Sequence, residues 1–177
     1  MRTIHVSRVL VVGAAMVLAS FSPVAAQEAA KAVVSPLSGA KFGAIPNAPK
    51  CFTIAVEQGD PSKGPSVVLA KFSPGCVAPN HWHTPAETVM VVSGALETQM
   101  KGDDQPIVAH HGDFVYLPPK HVHRATCSKA APCLVFISSD AAFDIHWVDK
   151  DGQEISLEAA MKAVKPAAAA HTKPSVK

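Results

Sequence analysis

Two short segments carry the side chains most able to do chemistry. The first runs Gly75, His81, His83, Glu87, Gly94, with His81 and His83 in a His-x-His pair and Glu87 four residues on. Residues i and i+2 of a β-strand point to the same face, so the two imidazoles can converge on one point. Glu87 shares their parity, and the irregular Thr84-Pro85-Ala86 stretch lets its carboxylate swing toward them. Two neutral imidazoles and a carboxylate form a borderline-hard donor set. Such a set suits one divalent transition metal: Fe, Mn or Zn first, with Ni or Cu also compatible. A fourth ligand is wanted. The second segment, Gly112, Pro118, Lys120, His123, offers it in His123, which follows the Pro118-Pro119 turn and opens another strand. A lone histidine is more often an ordinary core or surface residue. Four ligand-type residues at this joint spacing favour a metal.

The remaining histidines are less telling. His121 shares the parity of His123. It reads either as an inward proton shuttle or rival ligand, or as an exposed rim residue beside Lys120. His110 and His111 adjoin the turn at Gly112 and read as solvated. His146, between Ile145 and Trp147, has no assigned role. Glu87 and His121 are the catalytic candidates. Tyr116 is a weaker acid–base candidate.

The two segments resemble the paired motifs of the cupin superfamily. The first matches at every defining position. The second matches at Gly112, Pro118 and His123, with Lys120 in place of the usual glycine and Cys127 in place of the usual asparagine. The resemblance spans about residues 51–148. It implies a jelly-roll β-barrel with a three-histidine, one-glutamate metal site whose open coordination positions face a cavity. Oxidative cleavage, as in dioxygenase-type cupins, is the leading reaction class that it implies. An isomerase or lyase is one alternative. A non-enzymatic cupin that binds a metal or small ligand is another, and a metal that only braces the barrel is a third.

The elements that must position these residues are strands. Runs at Cys51–Glu57, Ser66–Phe72, Thr88–Val92, Ala95–Met100, Ile107–Ala109, Phe114–Leu117, Arg124–Cys127 and Leu134–Ser138 are separated by Gly-, Pro- and Asp-rich breaks. Many short strands at this spacing predict an all-β sandwich or barrel, here over residues 50–148. Leu157, Ala160, Met161 and Val164 recur at helical spacing behind Ser156, so residues 149–166 should contain a short C-terminal helix.

A two-residue turn at Ser93-Gly94 would set Val91 against Leu96 and Val89 against Thr98. A hairpin around Cys127–Cys133 would set Ala125 against Val135 and His123 against Ile137. Side chains opposite each other share a face. Val89, Val91, Leu96, Thr98, Met100, Ala125, Val135 and Ile137 would then either fill the barrel or wall a mainly aliphatic pocket. Such a pocket suits a small, partly apolar or aromatic ligand better than a phosphosugar.

The four cysteines are Cys51, Cys76, Cys127 and Cys133. In an exported chain they read as disulfides, with Cys51–Cys76 and Cys127–Cys133 the favoured pairing among three. Free buried thiols are the alternative. Export itself is suggested by residues 1–26, which run from a basic start through an apolar stretch to Val24-Ala25-Ala26. That is the order of a secretory signal peptide. The apolar stretch, about 11 residues, is short of the roughly 20 that span a bilayer. A periplasmic or secreted location without a stable membrane anchor follows.

Removing residues 1–26 takes away Arg2 and Arg8 and no acidic residue, so the formal charge falls from +2 to 0. A chain without a basic patch is a poor nucleic-acid binder. About 150 residues remain, enough for one core. Residues 27–49, rich in Ala, Pro and Gly, read as an extended arm suited to strand exchange in a homodimer. Residues 167–177 read as a disordered tail.

Overall fold

The structure, a computed structural model, describes residues 32–164. The expected signal peptide, the arm before Ala32 and the tail lie outside the described residues.

Ten strands form: β1 Phe52–Gly59, β2 Ser66–Phe72, β3 Val77–Trp82, β4 Glu87–Ser93, β5 Ala95–Met100, β6 Ile107–His110, β7 Phe114–Leu117, β8 His123–Cys127, β9 Cys133–Ser139 and β10 His146–Trp147. They make two antiparallel five-stranded sheets, in the orders β1-β2-β9-β4-β7 and β10-β3-β8-β5-β6. The fold is an all-β jelly roll, as expected. One short helix, α1 Leu157–Ala163, follows, capped by Ser156, whose hydroxyl accepts from the Ala159 N–H. Ala160 is its buried residue.

Alternation along the strands selects the inner faces. Phe52, Ala70, Phe72, Val89, Val91, Leu96, Leu117, Val135 and Trp147 are buried between the sheets. Strand β3, expected only around His81 and His83, and the two-residue β10 do not stand out as apolar runs in the sequence. Pro79 and Asn80 break the apolar pattern of β3, and β10 is too short to show a period.

Both expected hairpin registers are corrected. Val91 pairs with Val135 rather than Leu96, and Val89 pairs with Ile137 and Val115 rather than Thr98. Leu96 pairs with Cys127 and Ala109. Ala125 faces Ala78 and Thr98 rather than Val135, and His123 faces His81 and Met100 rather than Ile137. The reason is the same at both places. The connections at Gly94 and at residues 128–132 carry the chain from one sheet to the other, so consecutive strands do not hydrogen-bond. Gly94 sits at φ 82°, where a Cβ would lie 2.5 Å from the Pro132 carbonyl oxygen. Only glycine fits that corner.

The cysteines pair as Cys51–Cys76 and Cys127–Cys133, with Sγ atoms 2.05 Å and 2.14 Å apart. Each pair joins the two sheets: β1 to β3 in the first case, β8 to β9 in the second. The described part of the arm pairs in cis. Gly43 and Ile54 exchange two backbone hydrogen bonds, and the Asn47 carbonyl accepts from the Trp147 indole N–H. Among the described residues, no helix is long and apolar enough to cross a membrane.

Candidate metal centre

Strand pairing assembles the centre. β3 and β8 are neighbours in one sheet, with His81 directly opposite His123. Their rings lie 4.2 Å apart between centroids. His83 follows β3 on the same parity. One ring nitrogen from each of the three imidazoles falls within 4.8 Å of the others. Glu87 opens β4 in the facing sheet, and its Oε2 lies 3.3 Å from His83 Nε2 and 3.7 Å from His123 Nε2. All four side chains are buried.

The outer ring nitrogens decide the tautomers. His81 Nδ1–H donates to the Pro79 carbonyl at 2.6 Å, and His123 Nδ1–H donates to the His121 carbonyl at 3.0 Å. His83 Nδ1–H donates to the Asp144 carbonyl. A carbonyl can only accept, so each Nδ1 carries the proton and each Nε2 presents a lone pair. That is how metal-ligating histidines are held. Three free Nε2 atoms and one carboxylate, buried together, fit a divalent transition metal.

Electrostatics point the same way. Burial, reinforced by His123 and His83, pushes the His81 imidazole well below its usual pKa. Burial likewise lowers His123, against the pull of Glu87. Burial acts downward on His83 as well, but the hydrogen bond and charge of Glu87 outweigh it and leave His83 raised. Burial acts upward on Glu87, but the His83 bond and the charges of His83 and His123 leave it lowered. Burial thus favours the neutral form of His81 and His123, while the contact between His83 and Glu87 favours the charged form of each.

The centre opens on a cavity of about 390 Å³ between the sheets. Of the expected wall residues, Val89, Leu96, Thr98, Ala125, Val135 and Ile137 line it. Val91 and Met100 do not: Val91 packs in the core beyond the wall, and Met100, at the end of β5, packs against the core's edge. Phe52, Ile54, Phe72, Phe143 and Trp147 also line the cavity. The sequence marks β1 and β2 as strand runs, but which strands face the metal depends on the sheet order. Among the described residues, no lysine or arginine contributes to the wall.

Residues 68–139 match the family model described as "Cupin domain". Over that stretch the chain is similar to cupin domains. The polyketide cyclase RemF from Streptomyces resistomycificus has a similar fold, with 14% identity and a TM-score of 0.57 over 65% of this chain and 84% of that one. KdgF from Halomonas sp. is also similar, with 18% identity and a TM-score of 0.51 over 62% and 94%. An RmlC-like cupin from Shewanella frigidimarina gives 17% identity and a TM-score of 0.50 over 63% and 92%. At these identities the likeness is one of fold. No curated protein matches the sequence significantly.

The inward reading of His121 is corrected. Its side chain is exposed and does not line the cavity. β8 begins at His123, and Lys120 sits at φ 58° in the preceding turn, so strand parity does not extend back to His121. What His121 supplies is its backbone carbonyl. Tyr116 points outward and is exposed. Asp144 and Phe143 escaped the sequence reading. Phe143 stacks on His83 with ring centroids 4.2 Å apart. Both lie in an irregular segment, and a backbone acceptor leaves no mark on residue type.

Proposed function

We propose that this protein is an exported, metal-dependent cupin enzyme acting on a small, largely apolar substrate, with dioxygenase-type oxidation as its reaction class. The observation that carries the reading is the pre-set donor group: three imidazoles with Nε2 free, beside one carboxylate, at the floor of an apolar cavity. His81, His83, Glu87 and His123 would hold the ion. When bound, a divalent transition metal supplies Lewis acidity and, if redox-active, electron exchange with dioxygen. The chain does the rest. Phe52, Phe72 and Trp147 bury the apolar body of the substrate and exclude water. Glu87, the one carboxylate among the four ligands, is placed to accept a substrate proton at Oε2. The apolar wall, among the described residues, lacks the cations that a phosphorylated substrate would require. Two cysteine pairs at bonding distance and the pattern of residues 1–26 support an oxidising, exported location.

A second reading has its own support. Besides the ligands, Asp144 is the one residue with a titratable side chain in the cavity lining among the described residues. A wall so poor in proton-transfer groups favours a binding protein over an isomerase or lyase. Metal analysis of protein purified without chelator, beside His83→Ala, tests the site. Full occupancy in the variant would sink it. Oxygen uptake by the metal-loaded protein with diketones, catechols and flavonols tests the reaction. Uptake with none of them would leave the binding reading in its place.

A further inference from the structure

We infer that the Asp144 carboxylate is a positioning group for His83, clamped from outside by His146. The inference rests on the metal-site reading above. Asp144 touches the centre only through its backbone, whose carbonyl accepts from His83 Nδ1–H. That carbonyl belongs to the connection between β9 and β10, which has no strand partners of its own at Asp144. Its side chain supplies the anchorage. Oδ1 accepts from the Thr84 N–H at 2.7 Å, one residue past His83. Oδ2 lies 3.2 Å from His146 Nε2. His146 is itself fixed on two further sides. Its ring stacks on Trp82, with centroids 3.8 Å apart and planes 2° from parallel, and its Nδ1 lies 3.3 Å from Glu154 Oε1.

The geometry closes a loop. Trp82, His83 and Thr84 are consecutive. His146 stacks on the first, the Asp144 carbonyl holds the second, and the Asp144 carboxylate holds the third. One aspartate therefore grips the chain at His83 and just beyond it, while a histidine stacked on the residue before keeps that aspartate in place. Phe143 adds a ring against His83 from the same segment. The result fixes both the tautomer of His83 and its ring plane. Residues that orient a metal-bound histidine in this way tune both the affinity and the ligand field of the site.

The test is a Co(II) titration of the full chain, read by visible absorption and by affinity. Asp144→Ala keeps the carbonyl but frees the segment. It should weaken Co(II) binding by about tenfold, the low end for groups that orient metal ligands. The Co(II) bands should also shift, since the His83 ring is no longer fixed. Asp144→Asn keeps an acceptor for Thr84 and a partner for His146, and should restore most of both readouts. His146→Phe keeps the stack on Trp82 and loses only the polar contacts. A merely structural role would leave its spectrum unchanged; the clamp predicts a band shift. Wild-type affinity and spectrum in Asp144→Ala would overturn the inference. Should that variant fail to fold, an unchanged spectrum in His146→Phe overturns it. Wild-type protein that binds no Co(II) would instead overturn the metal-site reading.

Discussion

Glu87 Oε2 lies 3.3 Å from His83 Nε2, across the gap between the two sheets. The contact couples the proton on one residue to the charge on the other. Metal ligation needs His83 neutral at Nε2. His81 and His123 are lowered by burial, which favours their neutral form, whereas His83 is raised. Metal binding well below the raised His83 value should therefore release about one proton. Affinity should climb as pH rises through that value and level off above it. In Glu87→Gln the main partner that raises His83 is gone and only the Asp144 contacts oppose burial, so the release should fall. Calorimetry in buffers of different ionisation enthalpy measures the proton count. Equal release in both proteins would refute the coupling.

Both cysteine pairs link one sheet to the other, but they close loops of different length: 25 residues for Cys51–Cys76 and 6 for Cys127–Cys133. A crosslink stabilises largely by restricting the unfolded chain, by about 2–4 kcal/mol, and more for the longer loop. Replacing Cys51 and Cys76 together by alanine should cost more than replacing Cys127 and Cys133 together. Guanidinium unfolding of the two double variants gives the order. The reverse order would show that packing of the fully buried Cys127 and Cys133 outweighs the loop term.

The Gly94 corner should tolerate no side chain. A left-handed φ costs a non-glycine residue about 1–3 kcal/mol, and a Cβ here would also meet the Pro132 carbonyl. Gly94→Ala should lower the midpoint of thermal unfolding by several degrees. Gly102, also at positive φ, has open space around its Cβ position. Gly102→Ala should cost less, because it meets strain without a clash. Equal losses in the two variants would remove the role given to Pro132.

Legibility in the sequence followed the strands. Wherever a residue lay inside one strand, period-two parity named its face, as for His81, Val89, Leu96, Thr98 and Val135. Parity carried one residue past β3 to His83 but failed two residues before β8. His121 precedes the start of β8 and follows a left-handed Lys120, so its side chain turns to solvent. Pairing was misjudged because consecutive strands here belong to different sheets. Val91 and Leu96 share the interior without sharing a hydrogen-bonded pair. The carbonyls of Pro79, His121 and Asp144, which set all three imidazole tautomers, had no signal to read, since every residue type has a carbonyl.

Ala70, on β2, lines the cavity and is almost fully buried, which separates two accounts of the apolar interior. In a filled core, a larger side chain there costs about 1–3 kcal/mol through overpacking. With a cavity of about 390 Å³ in front of it, the added carbons of Ala70→Leu enter free space and bury apolar area instead. The variant should unfold at or slightly above the wild-type temperature. It should bind metal normally, because none of the four ligands touches β2 through a strand pairing. What it should lose is room for a ligand. Trp147 lines the same cavity, so quenching of its fluorescence by 2-naphthol reports occupancy. Binding of 2-naphthol should weaken by about tenfold, which corresponds to about 1.4 kcal/mol. A variant that is destabilised by several degrees yet binds 2-naphthol as the wild type does would mean that the interior is packed and that ligands dock elsewhere.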